Sequence, residues 1–478
     1  MLGRGLARRV ATATVVVLTA GALLLADASP IESHPSRALI VTGRGFGHGR
    51  GLGQWGARGM AEQGADWRRI VSHYYRAASV SRSRPIEVIR VRVQIARRMI
   101  GWSSKPFTVA SGDRRSTVQK PEALVRVRRA GAKLIVERAR RRSGPWRRMM
   151  VTEQAVVVRA GRAPVWLFRP GGGLRAYEGA IVVRPRREQL AAVNHVAFER
   201  YVASVLPREM PASWPGQALR AQAVAARTYA ANVAVRARRA GMTHDICAST
   251  GCQVYGGVAW RESLSDRPTI STHPRATGAT RATVDRILTY RGRAIFAQYS
   301  SSTGGYTDRG DAPYLRAVPD PADRISPHHA WRRVIPASAL ESRWPDIGTV
   351  TGVRVTKRSG VGAWGGRVRR MVVEGSRGRI GLSGDRFQAV FGLRSDWYVV
   401  RWRRHLFARD MGEGARGHAV RHLQHRLLEE GFYPRSAPRT TYFGPITRDS
   451  LKRYQRARGI SSTGYLGPKT RRSLNRRA

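Results

Sequence analysis

From Ile86 on, the apolar residues of this chain change period, first from two to about 3.6, and that change limits what it can fold into. Between Ile86 and about Val183 they come in short alternating runs: Val88–Ile95, Ala123–Val127, Lys133–Val136, Val156–Val158 and Ala180–Val183. Each run is bounded by Gly, Pro, Ser or Arg clusters, the pattern of half-buried strands, and the outward positions are mostly Arg. Residues 196–240 then turn helical. Leu219, Ala223, Ala226, Ala230 and Val233 form one helical stripe, with Pro215 at its first turn and Gly241 as its stop. A helix is also expected over 58–76, and mixed strands, including Ile287–Tyr290 and Ala294–Tyr299, run on to about Arg401. The fold class that accommodates all of this is mixed α/β (α+β), with a β-rich insert at 85–185 and a core at 190–400. A small three-helix domain follows at 410–476.

At 478 residues and 42% hydrophobic content the chain can build two or three real cores. Its start reads as an export signal over 1–28: Arg4, Arg8 and Arg9, then the apolar run Val10–Leu25, then Ala26-Asp27-Ala28. The run is shorter than the roughly 20 residues that span a bilayer, and an uncleaved anchor is the alternative. The expected destination is outside the cell or on the wall. The formal charge of +55 is almost wholly arginine. Its plain reading is the arginine usage of a GC-rich genome; its functional reading is attraction to polyanions, which for an exported chain are anionic envelope polymers. The basic residues are spread out with no recognition helix or finger, which argues against nucleic acid.

Acidic residues are scarce, 31 against 86 Lys and Arg, so the one in Leu206-Pro-Arg-Glu209-Met-Pro-Ala-Ser-Trp-Pro stands out. Its plain reading is a carboxylate near a helix N-terminus, favoured by about 0.3–1 kcal/mol. Its chemical reading is a general acid, because Leu206, Met210 and Trp214 would raise its pKa. Gln222 and Arg227, on the following helix, can supply donors. The nearest other acid in sequence is Glu199, well upstream. Ordinary glycoside hydrolysis needs two flanking carboxylates. One suffices where the sugar brings its own nucleophile, as when the C6 hydroxyl of N-acetylmuramic acid attacks its own C1.

Several ordered blocks resemble the SpoIID/LytB family over roughly residues 38–400. They are Asn194–Tyr201, Leu206–Pro215, Ala218–Tyr229, Cys252–Gly257, Tyr299–Thr307 and Pro313–Leu315. The segment Gly43–Ala57, with His48 and Gln54, is similar to the family's G-H-G-x-G-x-x-Q-W-G-A motif. The resemblance implies lytic transglycosylase activity on glycan strands, with Glu209 as catalytic acid/base. Arg227 and Tyr299 would orient substrate or stabilise charge. Gln222, Tyr229, His48, Gln54, Ser301, Gly304 and Gly305 would line the substrate groove. The LytB branch implies instead a non-catalytic wall-binding protein that enhances an amidase, which would then be a partner. In sporulation proteins the G-H-G block lies late in the domain, whereas here it comes first. A permuted layout would return His48 to the groove beside Tyr299.

Cys247 and Cys252 are the only cysteines, with His244 just upstream. A disulfide is the preferred expectation for an exported chain. The alternative is a structural zinc on His244, Cys247 and Cys252, since some relatives bind zinc in this loop. No cofactor is otherwise required. The last unit resembles the peptidoglycan-binding domain 1 fold, through Val420-Arg-His-Leu423-Gln424, Phe443-Gly444-Pro-Ile-Thr447 and Thr463-Gly464 to Leu474. Thr441-Tyr442 replace the usual acidic D-G.

Overall fold

A computed structural model describes residues 36–84, 86–119, 123–407 and 409–476. The expected export signal at 1–28 lies outside the described residues. Among those described, no helix is long and apolar enough to cross a membrane. The chain divides into a large unit, Ala38–Arg403, and a second that holds the residues from Arg404 on.

The class is mixed, as the change of period implies. The two largest sheets lie in the large unit. One has eight strands, ordered Arg147–Thr152, Lys133–Ala139, Leu124–Ala130, Arg98–Trp102, Val165–Phe168, Leu174–Tyr177, Ala259–Arg261 and Thr269–Ile270. The other has seven: Ile246–Cys247, Val88–Ala96, Gln189–Ala197, Ala180–Arg186, Val156–Arg159, Phe107–Ser111 and Arg114–Val118. Val91, Val109, Ile181 and Ala192 of the second sheet share one core with Val127, Val136 and Leu167 of the first. The alternating runs name five of these strands. Strands such as Arg114–Val118 and Arg147–Thr152, rich in polar residues at exposed positions, carry too weak an alternation to be read.

The helices α1 (Gln54–Glu62) and α2 (Trp67–Tyr74) replace the single helix expected over 58–76. Asp66 separates them, its side chain accepting the Arg69 N–H as an N-cap. Next come α3 (Phe198–Glu209), α4 (Gly216–Arg239) and α5 (Pro274–Ala282). The stripe on α4 is wider than its spacing suggests. Leu219, Ala223, Ala226 and Ala230 face the sheet core, while Ala221, Val224 and Ala225 face a second core with Leu52, Ile70, Tyr74 and Leu288. A helix packed on both sides needs small residues all round, which explains its run of alanines.

The expected strand Ala294–Tyr299 is interrupted. Only Arg293–Ala294 and Tyr299–Ser300 are extended pairs, the latter parallel to Leu52–Gly53. The first described strand, Ser36–Arg44, lies between Ala330–Pro336 and Tyr398–Leu406 in a three-stranded sheet. Helices α6 (Ala337–Arg343) and α7 (Gly384–Phe391) pack in the adjoining core with Trp344, Val373 and Tyr398.

A buried acidic pair ties the glycine-rich segment down. Asp320 accepts from the Tyr74 hydroxyl (3.0 Å) and Thr303 Oγ1 (2.8 Å). Asp323 accepts from Ser302 Oγ (2.9 Å), the N–H groups of Thr303 and Gly304 (3.0 Å each) and His329 Nδ1 (3.0 Å). A Cβ on Gly56 would lie 2.2 Å from the Tyr74 hydroxyl and 2.3 Å from Asp320, so this position admits only glycine. Burial first, then the Asp323 charge, pushes the Asp320 carboxyl up from 3.8 to about 7. The folded chain therefore holds a proton that the unfolded chain has released between those two values. Stability from this group falls as pH rises through that window and is level above it. Measured as urea midpoints, the wild type should lose stability relative to Asp320→Asn between pH 5 and pH 8; a constant difference would refute the assignment.

In the second unit α8 (His418–Glu429), α9 (Pro445–Ala457) and α10 (Pro468–Arg476) close on Leu423, Leu427, Phe443, Leu451, Tyr454 and Leu466. The core is built twice on one plan. Gln424 Nε2 donates to Tyr442 O (3.0 Å) and Thr447 Oγ1 (2.9 Å), and Gln455 Nε2 to Tyr465 O (2.9 Å) and Thr470 Oγ1 (3.0 Å).

Candidate active site

Glu209 is the last residue of α3, and Met210 beyond it is extended, the conformation favoured before Pro211. The plain reading is thereby corrected: the carboxylate sits at the negative end of a helix macrodipole, which opposes its charge. It is half-buried. Its Oε1 accepts the Val254 N–H at 2.9 Å, and the Tyr299 hydroxyl donates to the same group. Burial pushes its pKa above the ordinary range, and the two hydrogen bonds pull it part of the way back. In a chain with so many arginines, no cation figures among the groups that shift it.

Gln253 fixes the direction of the tyrosine proton. Its Nε2 donates to Ala226 O (3.1 Å) and to the Tyr299 hydroxyl (3.1 Å), while its Oε1 accepts from Tyr201 (2.9 Å). With both amide hydrogens used, Tyr299 is left to donate its own proton to Glu209. Tyr229 flanks the pair, ring centroid 6.3 Å from that of Tyr299, and burial, then the Glu209 charge, raises its pKa. Trp214, in the loop after Glu209, packs on Trp55 at 4.7 Å. Neither Gln253 nor Tyr201 is read as a site residue from the sequence, although both lie inside blocks that carry the family resemblance. A glutamine next to a cysteine gives no period or charge signal. Replacing Tyr299 by Phe removes a bond that holds the charged form, so the Glu209 pKa should rise further. The upper-pH limb of any Glu209-dependent activity should move to higher pH; an unmoved limb would separate Tyr299 from the acid.

His48 returns to Tyr299, as the permuted layout requires. Leu52 and Gly53 pair with Tyr299 and Ser300, Phe46 bridges Ser302, and Trp55 N–H donates to Ser301 O at 3.0 Å. His48 Nδ1 accepts the Arg50 N–H at 2.9 Å, so its other nitrogen carries the proton and bonds the Tyr299 backbone. The surrounding protein, then Arg367 and Arg50, push its pKa down to about 4. The imidazole is therefore neutral near pH 7 and positions the Tyr299 strand. Gln54 is buried as the first residue of α1. Gln222 is wholly buried and has no hydrogen-bond partner for either amide atom among the described residues.

Three expectations need correction. Arg227 does not face the carboxylate. It is 1% exposed, bonds Glu199 through Nε (2.8 Å) and Nη2 (2.7 Å), and donates to Thr280 O (3.1 Å) and Arg286 O (3.2 Å). Gly304 and Gly305 are packing positions rather than open groove. Gly304 has φ +77, and a Cβ there would lie 2.7 Å from the Gly45 nitrogen; Gly305 has φ +105. Cys247 and Cys252 are joined as a disulfide with Cα atoms 5.7 Å apart, so neither sulfur is a thiolate for a metal. His244 Nε2 instead lies 3.0 Å from Arg92 Nη1, and the zinc set His244–Cys247–Cys252 is not assembled.

Comparison with known proteins matches residues 186–290 to the family SpoIID, stage II sporulation protein. Residues 416–474 match PG_binding_1, a peptidoglycan binding domain. Over 149 residues the chain is 35% identical to the amidase enhancer of Bacillus subtilis (strain 168), which covers 30% of this chain and 18% of that protein. It is 29% identical over 234 residues to stage II sporulation protein D of Bacillus amyloliquefaciens, covering 46% and 64%. Against stage II sporulation protein D of B. subtilis (strain 168) the figures are 30% over 182 residues, 36% and 50%. The chain spans less than two thirds of each of these relatives. The matched segment 186–290 contains Glu209 and Gln253, while Tyr299 and His48 lie outside it.

Proposed function

We propose that this chain, which carries a SpoIID domain and a peptidoglycan-binding domain, is an exported lytic transglycosylase that cuts peptidoglycan glycan strands. The observation that carries the proposal is the solitary state of Glu209. It is a half-buried carboxyl with a raised pKa, bonded by Val254 and Tyr299, while the acid nearest in sequence, Glu199, is held by Arg227. Protonated Glu209 gives its proton to the glycosidic oxygen as the bond from muramic C1 breaks. The carboxylate, with Tyr299 bonded to it, then takes the proton of the C6 hydroxyl as that oxygen bonds C1. The product is a 1,6-anhydro end; no water is consumed, and the acid is regenerated. The reaction needs no metal or cofactor.

The second unit would hold the enzyme on its polymer and raise the local substrate concentration. The charge of +55 would add attraction to anionic wall polymers. Digestion of purified glycan strands, followed by mass spectrometry, tests the proposal. Fragments lighter than the hydrolytic product by one water support it, and hydrated ends or no cleavage overturn it. Identity to a protein named amidase enhancer favours a second reading, in which the chain binds the wall and stimulates an amidase. That reading predicts no soluble fragments from the chain alone and faster release when an amidase is added.

A further inference from the structure

The loop Gly360–Gly366 joins strands Val350–Arg358 and Val368–Gly375, and its geometry is costly in a way that packing does not explain. The loop is pinned throughout. Gly360 N–H donates to Gly365 O (2.9 Å), Gly366 N–H to Ala363 O (3.0 Å), Arg358 Nη1 to Gly366 O (2.8 Å) and the Trp397 indole to Ala363 O (2.9 Å). Four of its residues, Gly360, Gly362, Gly365 and Gly366, have φ between +73° and +86°. A fifth residue in the left-handed region is not glycine: Trp364 has φ 58° and ψ 19°. A bulky side chain in that region is strained, and such strain persists where function retains it. Nor does the indole repay it by burial, since 40% of the residue is exposed.

The neighbours of this ring lead back to the acid. The Arg44 guanidinium lies 5.8 Å from the Trp364 ring centre, and its Nε donates to Gly304 O at 2.8 Å. Arg44 also bonds His329. Gly304 belongs to the segment that starts at Tyr299, whose hydroxyl meets Glu209. Phe46, 43% exposed, bridges Ser302 on the same segment. A half-exposed indole on a pinned loop, with a guanidinium 5.8 Å from its ring centre, suits the apolar C–H face of a pyranose, whose rim carries hydroxyl and amide groups.

We propose that Trp364 is a stacking platform for an N-acetylated sugar of the glycan strand, at a subsite away from the bond that is cut. This rests on the glycan reading of the Glu209 site, and the two can fail separately. The test uses the full chain with Trp364→Gly and Trp364→Phe, each also made with Glu209→Gln. Glycine relieves the backbone strain, so its melting temperature should stay level or rise, while KM on glycan strands rises about tenfold and kcat is unchanged. Phenylalanine should recover most of the loss. Binding of the N-acetylglucosamine tetramer by the Glu209→Gln chain should weaken by a similar factor without Trp364. It is read as the difference between chains with and without the indole, so that sites in the second unit cancel. KM and tetramer affinity within twofold of the parent would overturn the platform. So would retained sugar affinity with loss of amidase stimulation, which would make the loop a protein-docking site. A chain that yields no anhydro ends, yet binds the tetramer through Trp364, would sink the proposed reaction and leave the platform standing.

Discussion

Glu209→Gln should lower the release of anhydro-muramyl ends by about 10³-fold, the middle of the range for loss of a general acid. The amide is nearly isosteric. Its oxygen can still accept the Val254 N–H and the Tyr299 proton, so the α3 terminus and the Trp55–Trp214 contact should survive. An amide cannot give up a proton to the leaving oxygen, and it cannot accept one from the C6 hydroxyl. Both half-reactions fail together, so kcat should carry the loss, with KM little changed. The pH profile of the wild type supplies a second check. Activity requires the protonated carboxyl, whose pKa burial has raised, so the rate should fall as pH climbs through that raised value. Glu209→Gln chains that release as many ends as the wild type would leave only the amidase-enhancing reading.

Arg227→Met should cost about 3 kcal/mol of stability, the low end for breaking a buried ion pair. The low end applies because the Glu199 side chain is 32% exposed and water can reach it once its partner has gone. The carbonyls of Thr280 and Arg286 also lose a donor. The melting temperature should drop by several degrees. Below the transition, kcat should stay near the wild-type value, because the guanidinium ties α3, α4 and α5 together and does not touch the carboxylate. Lysine should not rescue, since one ammonium cannot reproduce a bidentate fork. A hundredfold loss of kcat in a variant with unchanged melting would return Arg227 to the catalytic set.

The mixed class was legible because period-two and period-3.6 patterns are local. Glu209 was legible for a different reason, as an acid in a basic chain beside prolines. What was not legible is pairing at long range. Nothing near Arg227 in sequence announces Glu199, and Arg44 bonds Gly304 across 260 positions. Residues such as Arg227 and Gly304 therefore look like site residues when they are packing residues that hold the site. Gln253 is the reverse case. It is an unremarkable amide until the fold sets Tyr201, Ala226 and Tyr299 around it. The disulfide was the preferred expectation over zinc or free thiols, because spacing alone does not distinguish a bridge from a ligand pair.

The strand Ser36–Arg44 lies between two strands from late in the same unit, Ala330–Pro336 and Tyr398–Leu406. A chain emerges from the ribosome, and from any translocation pore, with its amino end leading. For most of that passage this strand has no partner, and His48 has no Tyr299 to hold. The acid at Glu209 can be threaded out and α3 formed while its hydroxyl partner is still to come. Pairing of the first described strand thus waits on nearly the whole unit, and the Glu209–Tyr299 site cannot form until most of the unit has been made.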